Sequence, residues 1–278
     1  MSAPLRVIDT GEMPARWNVA TTAALTELHV DGRTTDILRF HRYPASVLVG
    51  RHQALSRAVN IENCKRDHVE IARRVTGGGA VYMAPGALAW DLIVDRRALG
   101  SRRMDAARII GEAIAAAFSR LGLDARYRPD NEIEVGGRKI CGMSGYRDGE
   151  TIVCQGTALV STDLRDMAKY LRLPSNGSPE VLRDLGARLT TVSDSLGRVP
   201  GCGEFVSVIA GRLSQVLGRD PICDAMSPEE HKVADELLRA ELGQDSFVYG
   251  AAPPGAGMGM PIGRDGSVDA YIIAKAQP

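Results

Sequence analysis

The chain has 278 residues, 44% hydrophobic and 24% charged, ordinary proportions for one large globular domain or a main domain with a small appendage. Its 34 basic and 34 acidic residues cancel, so no overall field gathers nucleic acid and specificity must come from a local site. Residues 1–18 hold no apolar run of signal-peptide length, and no stretch reaches transmembrane length, so a soluble cytoplasmic protein without a membrane partner is expected.

In chain order, Asn18 to His29 predicts a helix with Ala20, Ala23, Ala24 and Leu28 on one side. Asp36 to Phe40 and Ser46 to Gly50 predict strands, with Tyr43-Pro44 between them. Asn60 to Cys64 begins a short helix, and Val69 to Ala72 reads as a short strand.

Then comes the most informative stretch, Arg73-Arg74-Val75-Thr76-Gly77-Gly78-Gly79-Ala80-Val81-Tyr82. Two guanidinium groups lead into three consecutive glycines, and Ala80-Val81-Tyr82 resumes extended, apolar character. Glycines between two strand-like pieces let the backbone bend sharply or let a ligand approach closely. Amides unshielded by Cβ atoms can face an anion, and arginine supplies planar, permanently charged donors. The stretch therefore fits a pocket for phosphate or carboxylate. It also fits a tight turn or bulge beside a surface arginine pair. Known phosphate signatures do not compete, because no G-x-x-x-x-G-K-[ST] occurs and Gly77-Gly79 lacks the third glycine of G-x-G-x-x-G. Gly255, Gly257 and Gly259 fail the same test.

Leu88 to Val94 predicts a nearly continuous apolar strand containing Trp90 and one acid, Asp91. Met104 to Leu121 predicts the clearest helix, with Ile110, Ile114, Ala117, Phe118 and Leu121 on one face and Gly122 as its stop. A three-strand meander follows: Glu132 to Val135, Arg138 to Cys141 and Thr151 to Val160, joined at Gly136-Gly137 and Asp148-Gly149. Asp163 caps a helix through Leu171, residues 174–179 form a loop, and Val206 to Leu217 and Pro228 to Leu242 predict two further helices. Ala251 to Gly259 reads as a linker, with a single strand-like piece, Ser267 to Ala274, behind it. Helices interleaved with strands and an antiparallel meander predict an α+β fold with a mixed sheet flanked by helices.

The five cysteines, Cys64, Cys141, Cys154, Cys202 and Cys223, never form C-x-x-C and read as reduced, mostly buried thiols. His29, His41, His52, His68 and His231 show no paired ligand spacing, so no structural metal site is expected.

The arginine–glycine stretch and the meander together resemble the lipoate–protein ligase family, within the wider group of biotin and lipoate ligases and octanoyltransferases. The diagnostic pieces are Arg73 to Tyr82 and Asn131-Glu132-Ile133-Glu134-Val135-Gly136-Gly137-Arg138-Lys139-Ile140-Cys141-Gly142. Shorter matches include Asn18-Val19-Ala20 and Val49-Gly50-Arg51-His52-Gln53, and the resemblance runs from near Leu5 to near Tyr249. It implies a catalytic domain over residues 1–250 with a biotin/lipoate-ligase-like fold. Residues 251–278 would be a linker and short tail without a full accessory domain.

The family activates lipoate with ATP, as its magnesium complex, to lipoyl-adenylate, then acylates a lysine of a lipoyl-carrier protein or domain. By position, Arg73, Arg74, Gly77, Gly78, Gly79, Ala80, Val81 and Tyr82 would belong to the nucleotide or adenylate site. Asn131 and Glu132 occupy the family's Asn-Asp pair near the nucleotide, and Lys139 would touch both the acyl carboxylate and the α-phosphate. A carboxylate approaching an anionic phosphate needs a fixed cation where they meet, which suits lysine on a strand beside a tight turn. With no full accessory domain expected, the chain would manage both half-reactions alone or borrow that function from a separate polypeptide.

The chain departs from the family in several places. Met83-Ala84 and Ala87-Leu88 stand where His-Asp and an Asn-Leu pair are usual, Cys154-Gln155-Gly156 replaces His-His-Gly or Gln-His-Gly, and Thr22-Ala23 replaces two acids. An octanoyltransferase would need an accessible cysteine of lowered pKa. Cys141 is the first candidate and Cys154 the second, but neither stands where related transferases place the nucleophile. A non-catalytic protein that holds lipoate or a lipoylated carrier is the third reading.

Overall fold

The computed structural model describes residues 4–99, 106–129, 131–173, 180–250 and 260–261. Strand β1 (Leu5–Glu12) and helix α1 (Ala15–Val30) open the chain, followed by β2 (Ile37–Arg42) and β3 (Ser46–Val49). Two short helices, α2 (Leu55–Ala58) and α3 (Ile61–Arg66), lead to β4 (Glu70–Arg73), β5 (Val81–Met83) and β6 (Ala87–Asp95). Helix α4 (Ala106–Arg120) precedes the antiparallel run β7 (Ala125–Arg128), β8 (Glu132–Val135), β9 (Arg138–Asp148) and β10 (Thr151–Leu159). Helices α5 (Leu164–Tyr170), α6 (Val181–Arg188), α7 (Val192–Leu196) and α8 (Cys202–Leu217) follow. The rest is β11 (Pro221–Asp224), α9 (Pro228–Leu237), a π-helical turn at Leu238–Leu242, α10 (Asp245–Tyr249) and a two-residue strand, Met260–Pro261, on β9.

The larger sheet runs β11-β1-β2-β6-β10-β9-β8-β7. β1 pairs parallel with β2 and β11, and the ladders from β2 to β7 are antiparallel. A smaller sheet, β4-β3-β5, pairs β3 parallel to β4 and antiparallel to β5. The expected α+β class with a mixed sheet is what the chain adopts.

Both faces of the larger sheet are covered, which explains the long apolar run of β6. Leu88, Trp90, Leu92 and Val94 pack with residues of α4 and α8, including Ile114, Phe118 and Phe205. The alternate residues Ala89 and Ile93 pack with Ala20, Ala24 and Leu28 of α1. Asp91 falls on that second face by the same alternation. A third cluster joins the smaller sheet to α5 and α6 through Val47, Tyr82, Met167 and Leu185.

Several elements differ from expectation for local reasons. The second strand of the expected meander, Arg138 to Cys141, continues to Asp148, because Gly142 and Gly145 stay extended and the chain turns only at Gly149, which has a positive φ. The helix from Pro228 starts with a Ser227–Glu230 capping box and changes to a π turn after Leu237. β7 (Ala-Arg-Tyr-Arg) and the exposed β11 are edge strands with too few apolar residues to show a pattern. The expected loop at 174–179, the linker at 251–259 and the strand at 267–274 lie outside the described residues. No described helix is long and apolar enough to cross a membrane.

Candidate active site

A cleft opens between the smaller sheet and the face of the larger sheet that packs on α1. It measures about 980 Å³ counted to its solvent mouth, the size of a small-molecule site. Leu48, Arg74, Gly78, Val81 and Tyr82 wall one side, and Lys139, Gly142, Ser144, Gln155 and Asp91 the other.

The glycine stretch connects β4 to β5 and lies across the end of β3. Arg74 is buried beneath it and donates to the carbonyls of Leu48 (2.9 Å), Gly77 (3.0 Å) and Gly79 (2.8 Å). Burial pulls its pKa down to about 10, far above neutrality. The guanidinium thus fixes the loop by its carbonyls, while Thr76 Oγ1 donates to Gln155 Oε1 at 2.9 Å and ties it to β10. Among the described residues, the amides of Gly77, Gly78 and Gly79 donate to no protein acceptor. A loop held by its carbonyls, with its amides uncommitted, is suited to receive an anion.

Arg73 is the neighbour that goes elsewhere. It does not line the cleft, and its donors go to the carbonyls of Gly50, Arg51, Gln53, Phe247, Val248 and Gly250. Consecutive strand residues face opposite ways, so only one of the two arginines can lie under the glycine loop. In this geometry Arg73 fastens α10 to the β3–α2 connection. Gly77, Gly79 and Ala80 also stand behind the wall rather than in it, and only Gly78, at φ 93°, lines the cleft among the three glycines.

Close approach explains the glycine at position 50. A Cβ there would sit 1.9 Å from the Gly78 carbonyl oxygen. Gly50→Ala should therefore displace the loop and lower stability by at least about 1–3 kcal/mol. Gly186→Ala, in α6 with open space around it, should be neutral or slightly stabilising. Thermal unfolding of the two variants checks this, and an equal effect would contradict the packing argument.

Lys139 enters from the opposite side. Gly136 and Gly137, both with positive φ, make the two-residue turn from β8 to β9. The β8–β9 register then shifts, with Glu134 opposite Lys139 but Ile133 opposite Cys141, so Ile140 is an extra residue that re-aims its neighbours. The Lys139 side chain lies over Gly142, where a Cβ would fall 2.8 Å from its Cε. Its Nζ donates to Glu132 Oε1 at 2.9 Å and is largely shielded from solvent. Asn131, in the left-handed region at φ 58°, accepts from the Tyr127 hydroxyl and lies outside the cleft lining, as does Glu132 itself.

Deeper in the cleft, a buried polar group has formed that the residue patterns did not single out as a site. Asp91 and Arg39, both fully buried, meet at 3.2 Å. Asp91 also accepts from Thr22 Oγ1 (2.8 Å) and Gln155 Nε2 (2.8 Å), and Arg39 donates to Asn18 and Thr10. Only donors surround the carboxyl, so it is a carboxylate; burial raises its pKa and the contact with Arg39 opposes that rise. The signal present in the sequence was Asp91, an acid inside an otherwise apolar run; Arg39 shares its strand with His41 and Arg42 and did not stand out.

No cysteine lines the cleft. Cys64, Cys141 and Cys154 are buried, and desolvation pushes Cys64 up to about 11, Cys141 up to about 12 and Cys154 higher still. These are packing thiols, held away from the thiolate form that a nucleophile requires.

Comparison with known proteins agrees with this architecture. The family of lipoyl protein ligase A/B catalytic domains matches residues 14–214. The octanoyltransferase LipM of Symbiobacterium thermophilum is 25% identical over 271 residues, covering 89% of this chain and 98% of that protein. Among solved structures, the bi-partite lipoate protein ligase of Thermoplasma acidophilum superposes with a TM-score of 0.79 at 25% identity, covering 90% of this chain and 97% of that one. Lipoate-protein ligase A bound with ATP superposes with a TM-score of 0.77 at 26% identity, covering 90% of this chain and all of the other.

Proposed function

The chain belongs to the family of lipoyl protein ligase A/B catalytic domains, and from that premise we propose that it is an ATP-dependent lipoate–protein ligase. A lipoate carboxylate oxygen attacks the α-phosphorus of ATP, and pyrophosphate leaves. The amine of a carrier lysine then attacks the acyl carbon, releasing AMP and a proton. Lys139 would neutralise the carboxylate and α-phosphate as they meet, with Glu132 orienting it. Arg74 would hold the glycine loop so that the Gly78 backbone meets the phosphates, and Val81 and Tyr82 would wall the adenylate. No group of three metal-ligating side chains stands among the described residues, so magnesium would arrive on the nucleotide's phosphates as part of the substrate.

The observation that carries this reading is the composition of the cleft. It joins a lysine to a glycine loop with uncommitted amides and contains no thiol. The likeness to a ligase structure bound with ATP supports the nucleotide part.

A second reading follows from the likeness to an octanoyltransferase over nearly that protein's whole length. It needs a cysteine thiolate that takes octanoyl from a carrier thioester. The two readings separate in one experiment on the full chain, in which an apo-lipoyl domain is offered lipoate with Mg-ATP or octanoyl-carrier thioester without ATP. Cys141→Ser and Cys154→Ser should keep most of the ATP-dependent turnover, with losses limited to packing. An acyl-thioester trapped on either cysteine, and passed on to the domain, would establish the transferase reading instead.

We further take residues 1–250 as the catalytic domain and a lipoyl-carrier domain as its acceptor. The T. acidophilum ligase is bi-partite, which supports a separate accessory polypeptide here. Adenylate formation without transfer by the purified chain would show that need, and full turnover by the chain alone would exclude it.

A further inference from the structure

The two walls of the cleft meet through one side chain of β10. On the side of the smaller sheet, Arg74 holds the glycine loop by its carbonyls, and the Arg51 amide donates to the Thr76 carbonyl at 2.9 Å. Among the described residues, the one hydrogen bond from residues 74–80 to the larger sheet runs from Thr76 Oγ1 to Gln155 Oε1, at 2.9 Å. Thr76 is buried, so water does not compete for this bond.

The Gln155 amide is not free to turn over. Its Nε2 donates to Asp91 Oδ1 at 2.8 Å, while Thr22 and Arg39 donate to Asp91 Oδ2 at 2.8 and 3.2 Å. A reversed amide would set its oxygen against a carboxylate oxygen, which has no proton to give. The buried charge of Asp91 therefore keeps Gln155 Oε1 aimed at Thr76. Lifting the loop would leave a buried hydroxyl and a buried amide oxygen unmatched, the costly case for polar groups. Arg39, Asp91, Gln155 and Thr76 thus form one row that ends on the loop.

Resting on the reading that the loop receives the phosphates of ATP, we infer that Gln155 is a positioning residue for adenylation: oriented by Asp91, it holds Thr76 and so sets the loop for the nucleotide. Two substitutions separate this role from packing. A neutral imidazole carries one donor and one acceptor, so Gln155→His keeps both contacts. In Gln155→Glu a second carboxylate faces Asp91, and the two share one proton until rising pH removes it and their repulsion frees the loop. The other ionisable groups around Asp91 hold their charge over that range. Arg39 is paired with it, His41 is kept neutral by burial and by the Arg39 and Arg42 charges, and burial raises Tyr43, Tyr146 and Cys154.

The test uses the full chain with lipoate and Mg-ATP, reading the KM for ATP in pyrophosphate release and, without ligands, hydrogen exchange at the Arg51 amide. Gln155→Leu and Thr76→Val should each raise the KM about 5-fold to 10-fold and speed the exchange by a similar factor. The double variant should do no more than either single one, because both break the same link. Gln155→His should stay within about twofold of the parent. The KM of Gln155→Glu, relative to the parent, should climb from near unity at about pH 6 to about 10-fold at about pH 8. If Gln155→Leu does not fold, Thr76→Val and Gln155→Glu decide. Additive effects in the double variant, or a pH-independent Gln155→Glu, overturn the inference. So does Arg51 exchange that Thr76→Val leaves unchanged, whatever the activity of the parent. Faster exchange in the variants of a parent that releases no pyrophosphate supports the link and sinks the ligase reading.

Discussion

Lys139→Ala should slow acid-dependent pyrophosphate release by about 10²–10³, the loss expected when a positioned cation is removed from developing charge, about 3–4 kcal/mol of barrier. The geometry adds to the effect. Glu132 stands 2.9 Å from Lys139 Nζ, and without the lysine its carboxylate would confront the incoming anions. The double variant Lys139→Ala, Glu132→Gln should consequently be faster than Lys139→Ala alone. Gly142 leaves room for the lysine stem where a Cβ would fall 2.8 Å from Cε, so Gly142→Ala should reproduce part of the loss by moving the ammonium. Single-turnover measurement separates this loss from weaker ATP binding. Pyrophosphate release by Lys139→Ala at the parental rate would remove Lys139 from the chemistry.

Arg39→Leu should destabilise the fold by about 3–5 kcal/mol at neutral pH, because it leaves Asp91 as a buried carboxylate without its cation. The pH dependence distinguishes this cause from simple loss of packing. Burial already raises the Asp91 pKa, and removing Arg39 would raise it further. A carboxyl whose folded pKa lies above its unfolded value favours the folded state below the unfolded pKa, and that advantage is lost as pH rises through the folded pKa. The penalty should therefore be largest at neutral pH and shrink in mild acid, as Asp91 takes up a proton. Denaturant unfolding at the two pH values reads it directly. A penalty that does not vary with pH, or one below about 1 kcal/mol, would mean that Asp91 is not held by Arg39.

The parts of this site most legible in the sequence were those with local punctuation. Gly136-Gly137 announced the turn that presents Lys139, and the triple glycine between two apolar pieces announced a loop joining strands. The two arginines before it read as a pair, although the alternation of strand residues sends Arg73 to carbonyls around α10 and Arg74 beneath the loop. The Arg39–Asp91 pair shows what stays hidden. Asp91 looked like an exception in its strand while Arg39 did not stand out beside His41 and Arg42, and only the register that sets Arg39 opposite Asp91 and Asp91 opposite Gln155 makes them one group. Thr22 and Gln155 were visible as departures from the family pattern, but their common partner depends on α1 crossing the sheet. β7 and β11 were unreadable for another reason: edge strands bury too little apolar surface to leave a period-two pattern.

The measurement closest to the central claim is pyrophosphate release by the purified chain given lipoate and Mg-ATP, with no carrier present. The ligase reading predicts release that requires the acid, stops after about one equivalent as the adenylate is retained, and resumes when an apo-lipoyl domain is added. No pyrophosphate from lipoate or any acid of its length, together with acylation of the domain from an octanoyl thioester in the absence of ATP, would contradict it.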